Sequence, residues 1–408
     1  MPEASGSYRH TTGDEVCDAR RTEVGLAWGV GAALAPVRFL AIRIGLVFLA
    51  VGALLAAACG GGGSDDLGTS GSPTQGPSGR SELVVNSHAD TDERDGVLTL
   101  REAVLLATGV LSASELDPEE AGQVQGDPGP ESGDVITFAD SFQDGEAIVL
   151  AEPLSPLASG FDVIDGSAVD GVVIDGDSES FTCIEIDSSG NALLGLQIVG
   201  CRTGILVGQQ AEENRIGGSE AGQGNIISGN VVGIELRGRA NVIQGNLIGL
   251  DASGAEPVGN EFEGIWVTPV GRENIIGGPN PGEGNVISGN TLFGISIDGA
   301  KDNVLQGNLI GLDLSGSEGI ANKYGITVQA GATGNVIGGD GMGERNVISA
   351  NNTGLLLRGP ETSGNVVRGN YFGTDAAGDG EIANVVDVWE LEDIGENVLE
   401  ENQLREQP

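Results

Sequence analysis

Few residues in this chain have the types and spacing to do chemistry. Three aspartates, Asp251, Asp313 and Asp375, stand at matching places in a repeated motif. Stacked carboxylates on an acidic surface suit calcium, a hard cation that takes several oxygens; the alternative is that each caps its own turn, an ordinary task for aspartate. Trp266 and Trp389 fall near similar repeat positions, where an indole on a flat sheet face either stacks a sugar ring or packs. Arg237, Asp298 and Arg358 form a comparable series. Placed one repeat apart, they are expected to be surface charges too distant to touch unless intervening residues join them. Beyond the leader, only His88, Lys301 and Lys323 add histidine or lysine. No Ser/His/Asp set can be assembled from these. Arg237, Arg239 and Arg358 could be cast as the base of a lyase, and carboxylate pairs for a hydrolase are unavoidable by chance among so many acids. No catalytic residue is assigned.

The elements that must hold these residues are legible as a repeat. Asn241-Val-Ile-Gln-Gly-Asn-Leu-Ile-Gly-Leu-Asp251 returns from Asn303 and again from Asn365, so the offsets are 303−241 = 62 and 365−303 = 62. Asn-x-Ile-Ser-x-Asn begins at Asn225, Asn285 and, in the same form, Asn346; Asn-x-Ile-Gly-Gly begins at Asn214, Asn274 and Asn335. Within each unit short apolar pairs alternate, as in Ile234 and Leu236 or Ile265 and Val267, which turns one set of side chains inward. Runs this short cannot form long hairpins, but they bury their faces when coils stack in parallel. The fold expected is all-β, a single right-handed parallel β-helix from about residue 134 to 408. A unit of about 61 residues is read as three coils of about 20, with two larger coils as the alternative. Right-handedness follows the general chirality of parallel crossovers.

Composition agrees. Gly is 70 of 408 residues and aromatics are 4%, which favours many tight turns around a Val/Ile/Leu core. The net charge of −41 excludes nucleic acid as a partner and opposes anionic surfaces unless cations intervene. It also keeps an extended, monomeric rod soluble.

The amino-terminal region speaks of export. Arg38 and Arg43 precede an uncharged stretch of 15 residues, Ile44–Ala58, which suits a signal-peptide core and is short for a membrane span. Ala56-Ala57-Ala58-Cys59, followed by Gly and Ser, resembles a bacterial lipobox. That resemblance implies acylation of Cys59, removal of residues 1–58, and lodging at the cell surface or outer membrane, with the membrane met only through the lipid. Residues 1–36 fit no export signal and are read as a mis-called start, with Val24 or Val37 as the initiator. Residues 59–81 form a Gly/Ser-rich tether. Cys183 and Cys201, 18 apart, are either stacked as a disulfide or buried as free thiols. No Cys/His cluster suggests zinc.

Residues 82–133 read as a cap. Thr99-Leu-Arg-Glu102 is a capping box ahead of Ala103–Ala107 and predicts a short helix from about Leu100 to Thr108. Leu98-Thr-Leu-Arg-Glu-Ala103, with Val85-Asn-Ser87 and Asp90–Gly96, resembles the bacterial surface proteins named for a Cys-Ser-Leu-Arg-Glu-Ala motif ahead of right-handed parallel β-helix coils. The resemblance covers about residues 82–402 and implies fold and export, not a ligand. The function expected is a surface module, lipid-anchored and non-enzymatic, for adhesion or contact with a polysaccharide or cell-surface glycan. A polysaccharide lyase or glycoside hydrolase, and a structural spacer, are the alternatives.

Overall fold

The computed structural model describes residues 79–404, apart from 170 and 392. The leader, the lipid-anchor candidate Cys59 and the tether up to residue 78 lie outside the described residues.

Each coil of the rod turns three corners and lays down three short strands. Among the described residues the strands join into sheets of 12 and 15 strands. All pair in parallel except the short Val124–Gln125, which runs antiparallel to Glu82–Val85. The larger sheet holds two of the three stacks, joined by the long strand Gln197–Val207. The fold is a parallel β-helix. In the first stack Ile216, Ile243, Ile276, Leu305, Ile337 and Val367 follow one another in register, each fully buried. The second stack repeats this from Ile227 to Phe372, and the third from Ile205 to Leu355. Burying one such side chain is worth roughly 1.5–3 kcal/mol, and like upon like fills the column without voids.

The corners explain the asparagines. Asn303 donates from its backbone N–H and its Nδ2 to Asn335 Oδ1, at 3.0 and 2.9 Å. Asn335 does the same to Asn365. Three such ladders climb the rod, through Asn214 to Asn397, Asn225 to Asn402, and Asn230 to Asn384. An amide buried without partners is costly. Here each oxygen serves the coil before it, and the amide donates both to the asparagine of the coil after it and, at most positions, to a carbonyl of the coil before, as Asn335 does to Ala300 O, so stacking itself satisfies them. Where the corner has no loop, the residue before the asparagine is left-handed, as at Gly245 (φ 69°) and Ala240 (φ 55°).

Along the first ladder the chain runs 27, 33, 29, 32, 30 and 32 residues between successive asparagines. The 62-residue unit is therefore two coils of about 30, not three of 20. The period doubles because loops alternate between corners. One coil bulges after its first strand, between Gly217 and Asn225; the next bulges after its second, between Ile248 and Asn260. Each bulge leans on the like bulge two coils on: Leu314 donates its N–H to Gly254 O and Ala376 to Gly316 O, both at 2.8 Å.

The rod also begins earlier than residue 134. Glu82–Val85, inside the expected cap, pairs in parallel with Val135–Phe138 and is the first rung. The helix Leu100–Ala107 forms as read, with both arms of the Thr99/Glu102 capping box and Thr108 at its C-cap. The last rung, Val398–Glu400, carries the ion pair of Arg368 with Glu400.

Candidate functional site

The face of the third stack turned away from the core gathers Trp266, Trp389, Arg237, Asp298 and Arg358, although Ser296, Thr327 and Leu356 between the two tryptophans are themselves buried under their neighbours. Glu235, Trp266, Ser296, Thr327, Leu356 and Trp389 are register partners in one column. Both tryptophans thus stand on one column of one sheet, four rungs apart, or about 19 Å at ~4.8 Å per rung. Trp389 is 48% exposed. Asp298 pairs with Gln329 in the next column, which also carries Arg237 and Arg358, the residues following the register partners Leu236 and Leu357. An intervening coil thereby joins Asp298 to Arg358, while Arg237 pairs with Glu235 of its own strand. Gln329 donates from Nε2 to Asp298 Oδ1 at 2.6 Å and accepts from Arg358 Nε. Asp298 also accepts from Ser296 Oγ at 2.7 Å and from Trp266 Nε1 at 3.1 Å. On the other side of the tryptophan column, Phe293 and Tyr324 stack with ring centroids 5.3 Å apart.

Gln329, Ser296 and the Phe293/Tyr324 pair were not singled out from sequence. The signal was available: stepping 29–33 residues from Trp266 or Arg358, rather than about 20, lands on this face.

The three repeat aspartates lie elsewhere, in the loops that follow the second stack. Asp251 Oδ1 accepts from the N–H groups of Ala255 and Glu256 at 3.2 and 3.1 Å; Asp313 Oδ1 accepts from Ser317 and Glu318 at 2.9 and 2.8 Å. Asp375 accepts from the N–H of Asp379 at 3.0 Å. Burial pushes the Asp251 and Asp313 carboxyls up, but the hydroxyl and N–H donors of their own loops outweigh it. All three sit below the usual carboxylate range, Asp375 chiefly through the Gly380 backbone. This is the turn-capping geometry, and among the described residues no group of three His, Cys, Asp or Glu side chains is placed to hold a metal.

Cys183 and Cys201 are joined as a disulfide with Cα atoms 5.8 Å apart, on paired strands of neighbouring coils. Arg239 lies at a corner away from the face and binds both carboxylate oxygens of Glu212, at 2.7 and 2.6 Å. That hydrogen-bonded pairing raises its pKa further, the opposite of what a base requires. Lys301 sits on the same corner series as Arg239. Lys323 places its ammonium 5.6 Å from the Tyr324 ring centre. His88 of the cap packs tilted against the Phe142 ring, with ring centroids 4.1 Å apart.

No protein-family model matches the chain, and no curated protein does. Solved structures do. The Dettilon tailspike protein is 18% identical over 61% of this chain and 50% of its own, with a TM-score of 0.36. The chain thus spans about half the length of that tailspike. An alginate lyase from Paenibacillus sp. is 15% identical, covering 66% and 91%, at a TM-score of 0.37. Jun a 1, the major allergen from cedar pollen, is 13% identical over 81% and 82%, at 0.41. At TM-scores below 0.5 these likenesses carry neither a substrate nor a residue role over to this chain.

Proposed function

We propose that the protein is an exported surface module of the Cys-Ser-Leu-Arg-Glu-Ala kind, tethered by an acylated Cys59, that meets polysaccharide or cell-surface glycan without cutting it. One observation supports this reading above the rest. Two tryptophans share a column on an outward sheet face, and beside them runs a hydrogen-bonded row of Asp298, Gln329 and Arg358. Aromatic faces supply apolar stacking, and fixed polar groups supply direction, the usual division of labour in a binding site. Of the arginines that a lyase could use as a base, Arg237 and Arg358 lie on the face but are engaged by Glu235 and Gln329, and Arg239, at a corner away from it, is held protonated by Glu212.

The test is a glycan array probed with the purified mature chain, run with calcium and with chelator, beside assays for reducing ends and unsaturated products. Binding without product release, weakened in Trp389→Ala, is the expected result. Product release would establish the enzyme instead, and silence on every glycan would leave a spacer. Binding that needs calcium and fails in Asp313→Asn would restore the metal reading of Asp251, Asp313 and Asp375.

A further inference from the structure

We infer that the glycan this face takes is an uncharged chain lying along the rod axis; the inference rests on the reading above and narrows it to a chemical class and a direction. The direction comes from register. Trp266 and Trp389 are separated along the stacking axis and not across a strand, with Tyr324 beside the same column two rungs from Trp266. A ligand touching both indoles must cross the rungs one by one. Asp298, Gln329 and Arg358 follow the same line one column over, so its hydroxyls would meet a polar group at successive rungs.

The class comes from charge and from what the polar groups have left to give. Asp298 is held by three donors, from Trp266, Ser296 and Gln329, which fixes its orientation before any ligand arrives. Arg358 spends its Nε on the neutral amide of Gln329, and among the described residues its terminal amino groups have no partner. A carboxylate with one lone pair to spare and a guanidinium with spare N–H groups, two rungs apart, suit neighbouring sugar hydroxyls, which donate and accept. A polyanion fits poorly. Arg237 is already answered by Glu235 at 2.7 Å. On this face Glu185, Glu235, Glu263 and Asp298 outnumber Arg237, Lys323 and Arg358, and the chain as a whole carries −41. Asp298 would face a charged sugar in mid-path, well within the Debye length of about 8–10 Å. A polycation would be attracted to the whole acidic surface and would not need the tryptophans.

The experiment is calorimetric titration of the full mature chain with three probes: neutral linear hexasaccharides of glucose, mannose and xylose; polygalacturonate; and chitosan. The expected result is that at least one neutral hexamer binds, with an affinity unchanged between about 0.05 and 0.5 M salt. Trp389→Ala, at a half-exposed site, and Gln329→Leu should each weaken it by about tenfold or more, with circular dichroism and Tm showing an intact fold. Tighter binding of polygalacturonate, lost in Arg358→Gln, would overturn the class while leaving glycan contact standing. Chitosan binding that survives salt and needs Trp389 would do the same. If none of the three probes binds, glycan contact itself fails, and the inference with it.

Discussion

At the scale of single residues, the first ladder holds one exception with a measurable signature. Its positions run Asp134, Asp162, Asn191, Asn214 and onward, so the coils opening with Val135 and Val163 carry carboxyls where later ones carry amides. Asp162 is fully buried. Burial pushes its pKa up from 3.8 to about 6, helped by the Asp134 charge and only partly opposed by the Ser159 hydroxyl and the Asp134 N–H. The folded chain therefore holds a proton that the unfolded chain has lost between those pH values. Stability from the protonated form is complete below pH 3.8 and is lost as pH rises through about 6. At 1.36 kcal/mol per unit the neutral-pH penalty is roughly 3 kcal/mol. Asp162→Asn should raise Tm at pH 7.5 and leave it nearly unchanged at pH 3.5. A variant that melts earlier at pH 7.5 would mean the ionised carboxylate is held favourably by Ser159 and Asp134.

At the scale of elements, the Leu-Arg-Glu-Ala segment has a mechanical explanation. Glu102 closes the capping box on Thr99 and accepts from Arg94 at 2.7 Å. Arg101 reaches across to the coil that opens with Val135. It grips both oxygens of Asp90 at 2.9 and 2.8 Å and donates to the carbonyls of Glu152 and Pro153 at 2.8 and 3.0 Å. Its side chain is 9% exposed, and that of Asp90 is 4%. Breaking a buried pair from one side strands the other charge, at a cost of about 3–5 kcal/mol. Arg101→Ala should therefore loosen the cap before the rest. Amide exchange should quicken first at Leu83 and in Leu100–Ala107, while the Ile265 rung stays protected; uniform quickening along the rod would contradict this.

The helix itself was legible because a capping box and an apolar run are local signals. Asp90, the ion-pair partner of Arg101, falls in the segment Asp90–Gly96 that the sequence marks, but the carbonyls of Glu152 and Pro153 sit 51–52 residues away on a turn with no motif of its own. The rung Glu82–Val85 was missed for a similar reason: Glu-Leu-Val-Val lacks the Asn and Gly corners that mark later coils.

At the scale of the whole molecule, the period was plain and its division was not. Asn241, Asn303 and Asn365 do align along one edge, as identical motifs demand. Between them lie Asn274 and Asn335, whose flanking sequence differs because the loop there has moved to another corner. Trp266 and Trp389 read in phase because about two whole units separate them however a unit is divided, whereas Gln329 emerges only when the step is one coil of about 30 residues. Removing residues 241–302 joins Ala240 to Asn303 and keeps both the ladders and the loop alternation. That protein should fold and melt cooperatively, with Tm lowered by only a few degrees. Removing 241–273 alone sets two like loops on adjacent rungs and should abolish cooperative unfolding by calorimetry.

The leaning of each bulge upon its counterpart two turns away has a consequence for descent. Gly254 meets Leu314, and Gly316 meets Ala376, so a newly copied turn finds its seat only if its companion is copied too. Length in this lineage should change by even numbers of turns, and relatives that differ by an odd number should show one bulge erased at the seam.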